Sequence, residues 1–229
     1  MIPLLQAESL AITIVTLALS AVLTAFLFAS YRKGRRSSLM FWGLGLAAFT
    51  AGVFLEVLFA LGIYSMSLVD IYLFIVALLV ELLALGSMEL LSSKTKKRAY
   101  QAFCIASTMF LVAALAASGN VDIVQAYVAY LPPSLLVTVA STAMTFPAAI
   151  ILIWVALISY IKTKSVKMLS IIAGVVLVSI AGTLYIVSFP SLLYISEFIG
   201  ILLLWVGFYS RQARRGRSAS GARRHPPPH

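Results

Sequence analysis

The chain has 229 residues, of which 62% are hydrophobic and only 10% are charged, and its formal net charge is +10. A soluble domain is about half apolar and about a quarter charged, so this chain has too few charged residues to cover a soluble globule. The composition therefore excludes a soluble enzyme and a disordered protein. It predicts an integral membrane protein with little length left for a soluble domain.

Continuous apolar runs separated by charged breaks predict seven membrane-spanning helices. The runs cover residues 8–31, 39–62, 70–91, 99–118, 135–161, 168–187 and 193–210. Each run is long enough to cross about 30 Å of hydrocarbon at about 1.5 Å per residue. A bilayer accepts helices or closed barrels, and these runs lack the alternation of barrel strands. We therefore expect residues 1–210 to form one all-α, seven-helix transmembrane bundle.

The 17 Lys and Arg residues form four clusters, which follow the first, third, fifth and seventh predicted spans. In a seven-span topology all four clusters lie on the same side of the membrane. The positive-inside rule makes that side cytoplasmic, so we expect an outside N-terminus and a cytoplasmic C-terminus in the cell membrane. The absence of a positive charge before the first span also argues against a cleaved signal peptide.

Two segments outside the spans have distinctive compositions. Residues 119–134 form the longest outer connection, and they are predicted to form either a short interfacial helix or an unstructured loop. Residues 211–229 are rich in Arg, Ser, Gly and Pro, which predicts a disordered, basic cytoplasmic tail. Four tail residues are expected to contact anionic lipid: Arg211, Arg214, Arg215 and Arg217. The tail lacks the interleaved aromatic residues of a nucleic-acid-binding segment, so no nucleic-acid partner is expected.

Three glutamates, Glu56, Glu81 and Glu197, lie within apolar spans with no Lys, Arg or His at a comparable depth. A carboxylate that faces lipid at mid-depth costs at least ~2.5 kcal/mol, so these side chains should face the interior of the bundle. The helical period agrees, because each glutamate shares a face with small residues, as Glu56 does with Gly45 and Gly52.

The three glutamates allow two interpretations. Each could be a protonated group that hydrogen-bonds across helices and holds them together. Alternatively, the three could converge on a cavity and bind protons or cations, which predicts a proton- or cation-linked transporter or channel. The competing function is a non-transporting sensor or accessory subunit that binds another membrane protein or a second copy of the chain.

Other polar residues have simpler interpretations. Glu89 is expected to form a boundary salt bridge with Lys94 or Lys96, and Asp70 is expected to be solvated. Pro147 interrupts the fifth span and predicts a helix kink. The hydroxyl groups of the preceding turns could satisfy the backbone that this proline loosens.

The sequence disfavours an enzyme, a metal site and a bound cofactor. Cys104 is the single cysteine and lies among apolar residues, so it is interpreted as a packing residue. The two histidines, His225 and His229, lie in the tail. No nucleophile–base constellation is visible, and a haem held by buried histidines or a Ser-His-Asp triad is disfavoured.

Seven spans with an outside N-terminus resemble the overall architecture of microbial rhodopsins and other seven-helix receptors. The resemblance covers the architecture only. Retinal attaches to a lysine in the seventh helix of those pigments, and residues 193–210 contain no lysine, which excludes a retinal pigment. Residues 41–56 also resemble helices of the seven-helix sensor modules that are fused to bacterial signalling kinases.

Overall fold

The computed structural model describes residues 2–63, 65–91, 93–119, 124–125, 128–129, 134–164, 170, 173–174, 177 and 195–206. Within these residues the chain forms six helices. They are α1 (Ile2–Gly34), α2 (Ser37–Ala60), α3 (Met66–Met88), α4 (Lys94–Ala117), α5 (Leu135–Thr163) and α6 (Ile195–Val206). The first five contain apolar segments long enough to cross a membrane, and α6 is a shorter apolar helix. The helical class is confirmed, and the bundle is compatible with a multi-pass membrane protein.

The first five predicted spans correspond to α1–α5, and the described part of the seventh corresponds to α6. The sixth span lies almost wholly outside the described residues, and so does the basic tail. The count of seven helices and the orientation of the termini therefore stay predictions.

Two helices begin earlier than their apolar runs because serines cap them. The Ser65 hydroxyl accepts a hydrogen bond from Leu68 N at 3.3 Å, and α3 begins at Met66. The Ser93 hydroxyl accepts one from Lys96 N at 3.5 Å, and α4 begins at Lys94. A capping side chain satisfies an amide at the start of a helix, so polar residues outside the hydrocarbon join the helix.

The connection between α4 and α5 differs from both sequence expectations. Its described residues form two short antiparallel strands, β1 (Val124–Gln125) and β2 (Val128–Ala129). Val124 pairs with Ala129, and Gln125 pairs with Val128. Neither an interfacial helix nor a structureless loop describes these residues, because strand pairing satisfies the backbone and suits their valines.

Helices α2 and α3 pack through a regular series of small and large residues. A Cβ atom added at Gly45 would lie 2.8 Å from Leu83 Cδ2, so only glycine permits this approach. Each step backward along α2 is matched by a forward step of the same number of residues along α3, as expected for an antiparallel pair. From one end to the other the contacts join Glu56 with Tyr72, Gly52 with Val76, Gly45 with Leu83 and Trp42 with Gly86.

The antiparallel order collects the described basic residues at one end of the bundle, called here the basic end. It contains Arg32, Lys33, Arg35, Arg36, Lys94, Lys96, Lys97, Arg98 and Lys164. Lys96 Nζ lies 5.8 Å from the centroid of the Trp154 ring, which joins α4 to α5 there. At the opposite end, the Ser118 hydroxyl donates to Ser134 Oγ at 3.1 Å.

Helix α6 lies against α1. Trp205 Nε1 donates a hydrogen bond to the Leu19 carbonyl at 3.1 Å, and the Trp205 ring packs against Phe26. On another side, the Ser170 hydroxyl donates to the Leu203 carbonyl at 2.8 Å. These contacts fix where α6 carries its polar residue, Glu197.

Helix α5 is continuous across Pro147. Thr145 Oγ1 donates to the Ser141 carbonyl at 2.9 Å, and Ser141 Oγ donates to the Thr138 carbonyl at 3.1 Å. Proline has no amide hydrogen, so the carbonyl deprived of its donor is that of Ala143. These hydroxyls bond to earlier carbonyls instead, and the kink itself stays a prediction.

We expect Gly86→Ala to destabilise the bundle by about 1–3 kcal/mol, the usual cost of overpacking a well-packed contact. The added methyl group would overlap the indole ring of Trp42. The matched control is Gly34→Ala, because a Cβ atom at Gly34 meets no atom within 4 Å. Thermal unfolding midpoints in detergent test the difference. Equal midpoints for the two variants would contradict the described packing of α2 on α3.

Candidate functional site

Glu56 is buried where α2 faces α3, with only 4% of its surface exposed. Tyr72 lies directly opposite, and its hydroxyl donates a hydrogen bond to Glu56 Oε1 at 2.8 Å. The Phe59 ring packs edge-on against the Tyr72 ring, with centroids 5.5 Å apart. An apolar wall of Leu55, Phe59 and Val69 surrounds Tyr72 and holds its hydroxyl toward the carboxyl group.

The Glu197 carboxyl group lies within hydrogen-bonding range of the Glu56 carboxyl group. Glu197 is in the first turn of α6 and is only partly buried, so it is the more accessible member of the pair. Among the described residues, Glu56 Oε2 is buried and receives no hydrogen bond from an N–H or O–H donor. Ionised carboxylates only accept hydrogen bonds, so a bond between these two groups requires a proton on one of them.

Glu81 has different partners. It is 1% exposed, and α4 supplies its hydrogen-bond donors. Ser107 Oγ donates to Oε1 at 2.5 Å, and Thr108 Oγ1 donates to Oε2 at 3.0 Å. Cys104 is buried about one turn before Ser107 on the same helix. Ser107 and Thr108 are adjacent on α4, so this helix presents two hydroxyl donors together.

The structure therefore brings two of the three glutamates together and separates the third. Tyr72, which contacts Glu56, and Glu81 both belong to α3, and their separation of nine positions corresponds to an axial rise of about 13 Å. Residues 73–80, which lie between, are all apolar. A single cavity shared by all three glutamates is not the arrangement described. A role for each of them in binding protons or cations stays a prediction.

Sequence reasoning missed the partners of these glutamates. Tyr72 lies near one end of its predicted span, where a tyrosine typically marks the membrane interface, yet its hydroxyl donates a hydrogen bond to Glu56. Cys104 is buried in the apolar core, in agreement with its interpretation as a packing residue. One available signal was the adjacent hydroxyl pair Ser107-Thr108 in the middle of an apolar span.

Glu89 forms the predicted salt bridge at the basic end, with a different lysine. Lys97 Nζ lies 3.1 Å from Glu89 Oε2 and also donates to the Glu89 carbonyl at 3.0 Å. Lys97 lies three residues after Lys94 and one after Lys96 on α4, and its ammonium group reaches the end of α3. The pair is partly exposed and contributes little to stability, about 0–1 kcal/mol.

The described residues contain no group of three or more His, Cys, Asp or Glu side chains that could hold a metal ion. A groove of about 370 Å³ lies along α5 beside Pro147, and none of the three glutamates lines it. Its walls are Thr138, Val139, Thr142, Ala143, Phe146 and Pro147. This groove is mostly apolar and its lining contains no carboxyl group, so the candidate site is the pair formed by Glu56 and Glu197.

Comparisons with known proteins found no matching family model, no matching curated protein and no matching solved structure.

We expect Thr108→Val to destabilise the protein by about 1–3 kcal/mol, because it leaves Glu81 Oε2 buried without that donor. The matched control is Thr145→Val, since Thr145 Oγ1 donates only to a carbonyl of its own helix and a hydroxyl in that role contributes little. Unfolding midpoints in detergent measure both. Equal losses of stability in the two variants would show that the hydrogen bond from Thr108 to Glu81 stabilises the protein no more than a hydroxyl bond within one helix.

Proposed function

We propose that this chain is a multi-pass membrane transporter or channel linked to protons or another cation, with Glu56 and Glu197 as its ion-binding groups. The observation that supports the proposal is the contact between these two carboxyl groups, one buried and one partly buried. Groups of like charge rarely meet inside a protein unless a positive charge joins them.

The charge distribution around the pair favours a positively charged ligand. The titratable partner that α3 supplies is Tyr72, which is neutral and donates a hydrogen bond. The described Lys and Arg residues lie at the basic end, and Glu56 lies near the opposite end of α2. In surroundings of low dielectric constant, two carboxylates without a basic partner attract a cation and repel an anion.

The position of the pair between two helices gives a means of coupling. A bound cation neutralises charge and holds α6 against α2. Its release leaves two negative charges that repel each other, which favours movement of α6 away from α2. The separate attachment of α6 to α1, through Trp205 and Leu19, keeps the helix in the bundle during such a movement.

Glu81 has a different proposed role. Its hydrogen bonds from Ser107 and Thr108 satisfy the carboxyl group across the α3–α4 interface. This supports a role in holding the helices together. If Glu81 also carries the transported ion, its replacement should abolish flux. A Glu81 variant is therefore included in the same experiment.

The remaining parts of the proposal concern the membrane. We place the basic end at the cytoplasmic surface, in contact with anionic lipid, and the N-terminus outside. The protein is proposed to have no enzymatic activity. The alternative function is a non-transporting sensor or accessory subunit for another membrane protein, or for a second copy of this chain.

We expect the purified protein in liposomes to conduct protons or cations, and Glu56→Gln and Glu197→Gln each to reduce the flux at least tenfold. Glutamine keeps the shape and the hydrogen bond from Tyr72 but cannot ionise. The control is Glu89→Gln, which removes a carboxylate in a salt bridge at the basic end and should leave the flux unchanged. Ion-sensitive dyes inside the liposomes measure the flux under an imposed gradient.

Glu81→Gln separates the two hypotheses for the third glutamate. Wild-type flux in this variant supports a structural role for Glu81, and abolished flux supports a role in transport. Wild-type protein that conducts no more than empty liposomes, or flux untouched by both pair variants, would reject transport and leave the sensor or accessory function.

A further inference from the structure

We infer that the ion held between Glu56 and Glu197 is a proton shared by the two carboxyl groups, and not a metal cation. The inference rests on the proposed function, because it names the ion for the same site. Three features of the described residues carry it: the hydrogen-bond pattern at Glu56, the small number of oxygen ligands and the apolar side chains that pack around Tyr72.

The hydrogen-bond pattern leaves a place for one proton. Oε1 of Glu56 already accepts the Tyr72 hydroxyl proton at 2.8 Å. Oε2 is buried and has no N–H or O–H donor among the described residues, while the Glu197 carboxyl group lies within hydrogen-bonding range. A proton between the two carboxyl groups supplies the missing donor and removes one of the two negative charges.

The described residues supply too few oxygen ligands for Ca²⁺. Ca²⁺ takes six to eight oxygen ligands, whereas Mg²⁺ keeps several waters and needs only one or two carboxylates, so the second part of the test below includes Mg²⁺. The described part of the site offers two carboxyl groups, one of which already has an oxygen engaged by Tyr72. The neighbouring side chains Leu55, Phe59 and Val69 are apolar and provide no further oxygen. A proton needs only two oxygens, which the described residues supply, whereas they do not supply the ligand set that Ca²⁺ needs.

Among the described residues, the other charged group that α3 carries near this end is Asp70, two residues before Tyr72, with its Oδ1 buried and without a hydrogen-bond partner. Helix α3 contributes Tyr72, and α6 contributes Glu197, as the titratable groups that face Glu56. The buried polar residues of α1 are the hydroxyls Thr13, Thr16 and Ser20, which do not titrate in the physiological range. The Tyr72 hydroxyl bond stabilises the negative charge that remains after one proton binds, since hydrogen bonds to an ionised carboxylate are strong.

Infrared spectroscopy of the full-length protein in liposomes tests the inference. We expect the C=O stretch of a protonated carboxyl group in the wild type at neutral pH, with a shift when H₂O is replaced by D₂O. The band should be lost in Glu56→Gln and lost or displaced in Glu197→Gln, because each variant removes one of the two oxygens that share the proton. Glu89→Gln is the matched control and should keep the wild-type band.

The second part of the experiment adds metal cations to the same samples. At constant pH, addition of Na⁺, K⁺, Ca²⁺ or Mg²⁺ should leave the band unchanged. Loss of the band on addition of one of these ions, or a wild-type spectrum without a band that depends on Glu56, would overturn the inference.

The failure of this inference is distinguishable from the failure of the proposed function. Flux driven by a Na⁺ or K⁺ gradient at equal pH, and lost in Glu56→Gln, would keep transport and reject the proton. A band that depends on Glu56, in a protein without flux, would support the shared proton and reject transport.

Discussion

A carboxyl group inside hydrocarbon must find a partner, and this requirement organises the bundle. Hydrocarbon offers no water to solvate a carboxylate, so each buried glutamate has to meet a donor or a cation. Glu56 meets Tyr72 of α3 and Glu197 of α6, and thereby joins helices from distant parts of the chain. The close approach of α2 and α3 at Gly45 and Gly52 sets the register that places Tyr72 opposite Glu56.

The two glutamate sites show how partners determine the chemistry of the same residue type. Glu81 receives two hydroxyl hydrogen bonds from α4, one on each carboxyl oxygen, so its acceptor oxygens are satisfied by the protein itself. Glu56 has one phenol donor and then faces another acceptor. A satisfied site holds helices together, whereas a site that lacks a donor can take one from solution. This difference is the physical basis for assigning ion binding to the Glu56–Glu197 pair.

Much of the helical layout could be predicted from the sequence, because hydropathy and charge mark where helices cross a membrane. The face on which Glu56 lies with the small residues Gly45 and Gly52 could also be predicted, since it follows from the helical period alone. The sequence could not predict which glutamates meet, because that depends on how the helices are arranged and rotated about their axes. One sequence contains no direct signal for that arrangement. The hairpin of β1 and β2 was missed because its strands are too short to show alternation.

The contact between Glu56 and Glu197 is the central claim, and a double-mutant cycle on the free energy of unfolding tests it most directly. The cycle compares Glu56→Ala, Glu197→Ala and the double variant with the wild type, with Glu56→Ala and Thr108→Val as a distant control pair. Residues in contact show interaction energies of about 0.5–3 kcal/mol, so we expect clear non-additivity for the glutamates and additivity for the control. Glutamate effects that add to within about 0.3 kcal/mol would contradict the contact and the function built on it.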